Sequence, residues 1–196
     1  MTQNDIVLTP LVRRDTSYQE YQASQGEVFT MAATPLLVLA ARLKQLSREI
    51  DPVQLQEKLI QDVHQFELQL QQQNVRAEQI LIAKYFVCAL LDDLIEYEWL
   101  EGLGLWRAYA LSHYFFQENN AEEKMISLIE RLQQEPTVNI ALIELAYMIL
   151  VYGYQGIYRQ SHQGYFLLLQ KMDELYHLLN WHYGDFRKSL FIQARS

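Results

Sequence analysis

At 196 residues and 50% hydrophobic, the chain is long enough to bury a sizeable core within one compact domain. A net charge of −8 argues against nucleic-acid binding, which needs clustered Lys and Arg to neutralise phosphates. The single Cys88 excludes an internal disulfide and, set in the apolar run YFVCALL, reads as a small buried hydrophobe rather than a nucleophile.

Seven Gly and four Pro leave few turns, which favours long helices over many short strands. The opening MTQNDIVLTPLVRRD carries no signal-peptide pattern, and residues 1–25 read as a mobile arm ahead of a helical domain over 26–185. From Glu27 to Arg48 an apolar helix is predicted through Leu36, Leu39, Leu43 and Leu46, with Pro35 at a first turn or a kink. Asp51-Pro52 predicts a capped helix start. The stripe Leu55, Leu59, Val63, Phe66 and Leu70 then carries that helix to the Gln run 71–73. Asn74 is predicted to cap the next helix, from Arg76 to Glu98.

The interval from Trp99 to Trp106, with Gly102 and Gly104, reads as a loop, followed by a short aromatic helix from Ala108 to Phe116. Asn120 is expected to cap a helix from Ala121 to Gln134, and Pro136 to break it. Thr137 or Asn139 then opens the most hydrophobic helix, which stops at Gly153. The last helix is predicted over Tyr165 to Tyr183, ended by Gly184. No stretch shows sustained strand alternation, and none reaches the ~18–20 uninterrupted apolar residues of a membrane span. The fold expected is all-α, with about seven to eight helices.

Chemistry is sparse. Asp92-Asp93-Leu94-Ile95-Glu96 is a DDxxE string, the type that holds divalent metal for a diphosphate in all-α terpene synthases. No second metal motif or cluster of basic residues accompanies it, so a metal-dependent enzyme acting on a diphosphate is the alternative rather than the favoured reading. Glu174-Leu175-Tyr176-His177 is a single ExxH where di-metal bundles need two, and it reads as a solvated helix face. No GxSxG or GxxxxGK string occurs. No catalytic residue, cofactor or metal ligand is assigned.

What stands out is acidity. Between Asp92 and Glu123 lie Asp92, Asp93, Glu96, Glu98, Glu101, Glu118, Glu122 and Glu123, against Arg107 and, at the edge, Lys124. A plain solubilising surface is one reading. The other is a docking face for a basic partner, since a one-signed patch steers association. Neighbouring Tyr97, Trp99, Trp106 and Tyr109 favour docking if they stand exposed as interface anchors. The candidate partner-binding set is Asp92, Asp93, Glu96, Glu98, Trp99, Glu101, Trp106, Glu118 and Glu123. Charge reversal at Asp92 and Asp93 is then expected to abolish binding and leave the fold intact.

The order AKYFVCALLDDLIEYEW, ISLIERLQQEP, LIELAYMILVYGYQGIYR resembles the DotU/IcmH/TssL family of inner-membrane components of bacterial type VI and type IVB (Dot/Icm) secretion systems. The TPLLVLAARLKQL and LIQDVHQFE helices fit in order, so the resemblance spans about Thr30 to Arg159. It implies two small helical bundles in a hook-like arrangement, facing the cytoplasm. It also implies a transmembrane helix beyond Ser196, which makes residues 186–196, with Arg187, Lys188 and Arg195, a juxtamembrane tail. The implied partners are an IcmF/TssM-type inner-membrane protein and cytoplasmic baseplate or coupling components, with self-association through the membrane anchor. Members of the type VI branch carry an FHNE…GGE-FF string where this chain has YFFQENNAEEKMI, which leans the reading toward the Dot/Icm branch.

Overall fold

The computed structural model describes residues 16–45, 50–118 and 121–184; the arm over 1–15, the Asn120 cap and the tail 186–196 lie outside the described residues. Seven α-helices and no strands are present among the described residues: α1 Thr16–Arg42, α2 Pro52–Gln72, α3 Ala77–Leu94, α4 Leu111–Phe116, α5 Ala121–Gln134, α6 Pro136–Val151 and α7 Gly164–Tyr183. The all-α expectation holds. The first helix starts at Thr16 rather than Glu27, so residues 16–25 of the expected arm are helical.

Local chemistry accounts for the boundaries. Asp51 caps α2 with its carboxylate, accepting from Val53 N at 3.1 Å, and Pro52 fills the first helical position. Asn74 does something other than predicted. With φ of +56° it closes α2 in the left-handed region, and Val75 N donates back to Leu70 O. Arg76, without a side-chain cap, opens α3. Pro136 starts α6 directly after α5 rather than sitting in a break between them.

The helices form two groups around one shared core. α1, α2, α3 and α4 pack together, α5 and α7 lean on α6, and α6 joins the groups by packing on α1 and α3. α2 buries only the expected stripe, whereas α3 and α6 are buried on nearly all sides. Each fully buried Leu, Ile or Phe in these helices contributes roughly 1.5–3 kcal/mol. Pro136–Gln160 is apolar and long enough to cross a membrane, yet most of it lies inside this core, which accounts for its composition.

The arrangement sets up one end of the molecule. α3 loosens into a π-helical turn, Ile95–Trp99, and the chain then loops through 100–110 into α4. The turn Gly156–Gln160 between α6 and α7 reaches the same place, because Asp93 of α3 binds its backbone.

Candidate functional site

Consecutive helical residues are turned about 100° from one another, so the adjacent acids at the end of α3 cannot serve one partner. Asp92 faces the 106–112 segment. Its Oδ1 accepts from Trp106 Nε1 at 2.8 Å and Leu111 N at 2.7 Å; its Oδ2 accepts from Ser112 N at 2.8 Å and Ser112 Oγ at 2.7 Å. Leu111 and Ser112 are the opening residues of α4, whose own N-cap, Ala110, offers no side-chain acceptor. Asp92 therefore caps a helix from a distance, satisfying first-turn N–H groups as a local Ser or Asp would.

Asp93 faces the other way, into the turn after α6. It accepts from Gln155 N at 3.0 Å and Gly156 N at 3.2 Å, and pairs with Arg159 Nη2 at 2.9 Å. The Arg159 guanidinium also stacks on the Tyr97 ring, 4.1 Å from its centroid. Gly156 is obligatory here. Its φ is +48°, and a Cβ would come within 2.3 Å of the Tyr154 hydroxyl. Glu96 completes the set: its carboxylate accepts from Gly104 N and from Trp106 N at 2.9 Å, and its carbonyl from Gly102 N at 2.7 Å. Burial pushes the Asp92 and Asp93 carboxyls above the usual range, and the surrounding donors pull them part of the way back.

Two expectations fall to this geometry. Trp99 is 2% exposed and Trp106 1%, so neither is a surface anchor; both are core side chains, and Trp106 spends its indole N–H on Asp92. Charge reversal at Asp92 and Asp93 cannot leave the fold intact, because it would set a cation against backbone N–H groups and, at Asp93, against Arg159. The DDxxE oxygens needed for metal are taken by these internal donors. Among the described residues no group of three or more His, Cys, Asp or Glu could hold a metal ion.

The remaining candidates are at the surface. Glu101 is exposed and Glu98 half-buried; Glu118 is half-buried and pairs with Lys124; Glu123 is exposed. Asp92, Asp93, Glu96, Glu118 and Glu123 border one cleft of about 540 Å³, which Arg107, His113 and Ile157 also line. Beside it the Glu101–Leu105 loop, pinned by Glu96, holds Leu103 and Leu105 outward at 69% and 55% exposure. Reasoning from sequence selected this loop and its exposed Glu101, but expected Trp99 and Trp106 rather than Leu103 and Leu105 as the exposed apolar side chains. It also missed Ser112 and Arg159 as the partners of the two aspartates. A Ser at a helix start without its own cap, and an Arg closing a Gly-containing turn, were the available signals.

The sequence profile of the DotU family, described as "Type VI secretion system protein DotU", matches residues 29–195. A search of curated protein sequences found no match. Among solved structures, TssL from Vibrio cholerae superposes with a TM-score of 0.69 at 25% identity, over 79% of this chain and 96% of its own. The cytoplasmic domain of TssL from Acinetobacter baumannii gives 0.65 at 23%, over 76% and 98%. SciP/TssL from enteroaggregative Escherichia coli 042 gives 0.60 at 23%, over 76% and 86%. The family description and the E. coli structure are labelled type VI, and the lean toward the Dot/Icm branch finds no support among these matches. A profile match over most of the chain and a shared helical fold establish that this protein belongs to the DotU family of secretion-system components.

Proposed function

We propose that the chain is a non-enzymatic docking domain of a type VI secretion apparatus. In this reading it lies on the cytoplasmic side of the inner membrane and is anchored by a transmembrane helix beyond Ser196. Its acidic cleft and the adjoining loop receive a basic partner surface. An IcmF/TssM-type inner-membrane protein and a cytoplasmic baseplate component are the partners, and self-association runs through the anchor. One observation carries the docking site: three carboxylates are used to fix the walls of the cleft, two further acids, Glu118 and Glu123, remain on its border, and the loop that Glu96 ties to the cleft holds two leucines outward. A predominantly acidic rim with a small apolar contact suits fast association followed by specific seating.

The test uses Glu118→Lys/Glu123→Lys and Leu103→Asp/Leu105→Asp, which touch none of the buried ties. Binding to purified IcmF/TssM-type and baseplate proteins is measured at two salt concentrations. The reading predicts unchanged circular dichroism, affinity lowered by about tenfold or more in both variants, and a shallower salt dependence in the first. Wild-type affinity in both variants would remove the cleft from the docking surface.

A further inference from the structure

A glycine weakens the interior of a helix, and Gly26 is the only one in the 27 residues of α1. The packing supplies the reason. A Cβ there would collide with the Glu144 carboxyl of α6 and stand 3.2 Å from the Tyr183 hydroxyl of α7. The three helices keep this register further along: Thr30 Oγ1 meets Met148 Sδ at 3.5 Å, and the Tyr147 and Tyr176 rings lie 6.2 Å apart. Thus α1 runs parallel to α6 and α7 antiparallel to it, with residues 26, 144 and 183 at one level. Tyr183 is the last residue of α7, which ends at Gly184 with φ of +73°.

We infer that Glu144, seated in the Gly26 notch against Tyr183, is a pH-sensitive latch that fastens the C-terminal turn of α7 to α1 and α6. The latch is closed while the carboxyl keeps its proton and loosens when the proton leaves. The surrounding groups give the sign. Burial among three helices, and Glu27 on the next residue of α1, favour the neutral acid; the Tyr183 hydroxyl, itself kept protonated by burial, favours the carboxylate. His182, edge-on to the Tyr183 ring at 5.2 Å, is pushed below its ordinary range by burial, and its own titration acts in the opposite sense. The balance puts the Glu144 carboxyl at about 7 in the closed latch, against its ordinary 4.5 once exposed to water. Opening therefore grows by up to about tenfold per pH unit between these two values and levels off above them. In the reading above α7 leads to the membrane anchor, and the latch then sets how firmly the domain is held against it. The latch itself stands on α1, α6 and α7 alone.

The test is amide hydrogen exchange of the full chain from pH 5 to 8, with wild type and Glu144→Gln compared at each pH so that intrinsic rates and His182 cancel. Amides of residues 180–183 report the latch, and those of α2 report unfolding of the whole chain. The last-turn amides are expected to exchange faster than those of α2 and to be insensitive to low urea, because one turn exposes little surface. Their opening in wild type, relative to Glu144→Gln, should rise roughly 50-fold across this range. A ratio that does not change with pH would overturn the inference. Last-turn amides that exchange together with those of α2, and respond to urea as they do, would place the release of the proton in global unfolding and overturn it as well.

Discussion

Two groups of acids within one short stretch behave as opposites. Asp92, Asp93 and Glu96 are held by backbone N–H groups, an indole, a hydroxyl and a guanidinium. Glu118 and Glu123, on the same cleft, stand at the surface, where Glu118 pairs with exposed Lys124. The first group is architecture. It caps α4 and clasps the turn between α6 and α7, so losing a carboxylate there strands several buried donors. The second group contributes field rather than fold, because an exposed pair adds about 0–1 kcal/mol. A string that looks like a metal motif is spent inside the protein, and the acids able to meet a partner are those without a motif.

The comparison breaks most visibly at Asp93. Asp93→Ala leaves Arg159 and two N–H groups without their acceptor, and denaturant unfolding should show a loss of about 3–5 kcal/mol. A loss below 1 kcal/mol would reduce the clasp to an incidental contact. Next comes Glu144, buried between α1 and α7, where burial pushes its carboxyl up to about 7 and the neighbouring Tyr183 hydroxyl opposes the shift. The folded protein keeps a proton here that the unfolded chain releases near its ordinary 4.5. Stability from this group is therefore complete below about 4.5 and falls as pH rises to about 7, by about 3 kcal/mol in all. Glu144→Gln should flatten the fall in melting temperature between pH 5 and 8; an unaltered pH profile would contradict the assignment. Ser112→Ala removes one of four donors to Asp92 and should cost about 1 kcal/mol, a melting shift of roughly 2–4 °C. Smallest of all, Glu118→Gln/Glu123→Gln should change stability by less than about 0.5 kcal/mol.

The helices were legible because their signals are local. The Asp51-Pro52 start of α2 and its five-residue buried stripe need nothing from the rest of the chain. Asn74 was misread because one residue can close a helix in the left-handed region or cap the next, and the choice depends on the backbone between them. The site was legible as a region only. That Asp92 meets Ser112 and Asp93 meets Arg159 depends on which loops return to the end of α3, and no spacing rule encodes contacts 20 and 66 residues apart. Trp99 and Trp106 were misplaced because a tryptophan beside glycines fits an exposed loop and a buried plug equally well from sequence.

One paired measurement addresses the division between fold and field most directly. Asp92→Asn/Asp93→Asn and Glu118→Gln/Glu123→Gln remove the same formal charge from the same cleft. Each is followed by denaturant unfolding and by binding to a purified baseplate partner. The account predicts a loss of several kcal/mol for the first pair, and for the second a native unfolding curve with weakened, less salt-sensitive binding. A stable first variant that fails to bind, beside a second that binds normally, would contradict it.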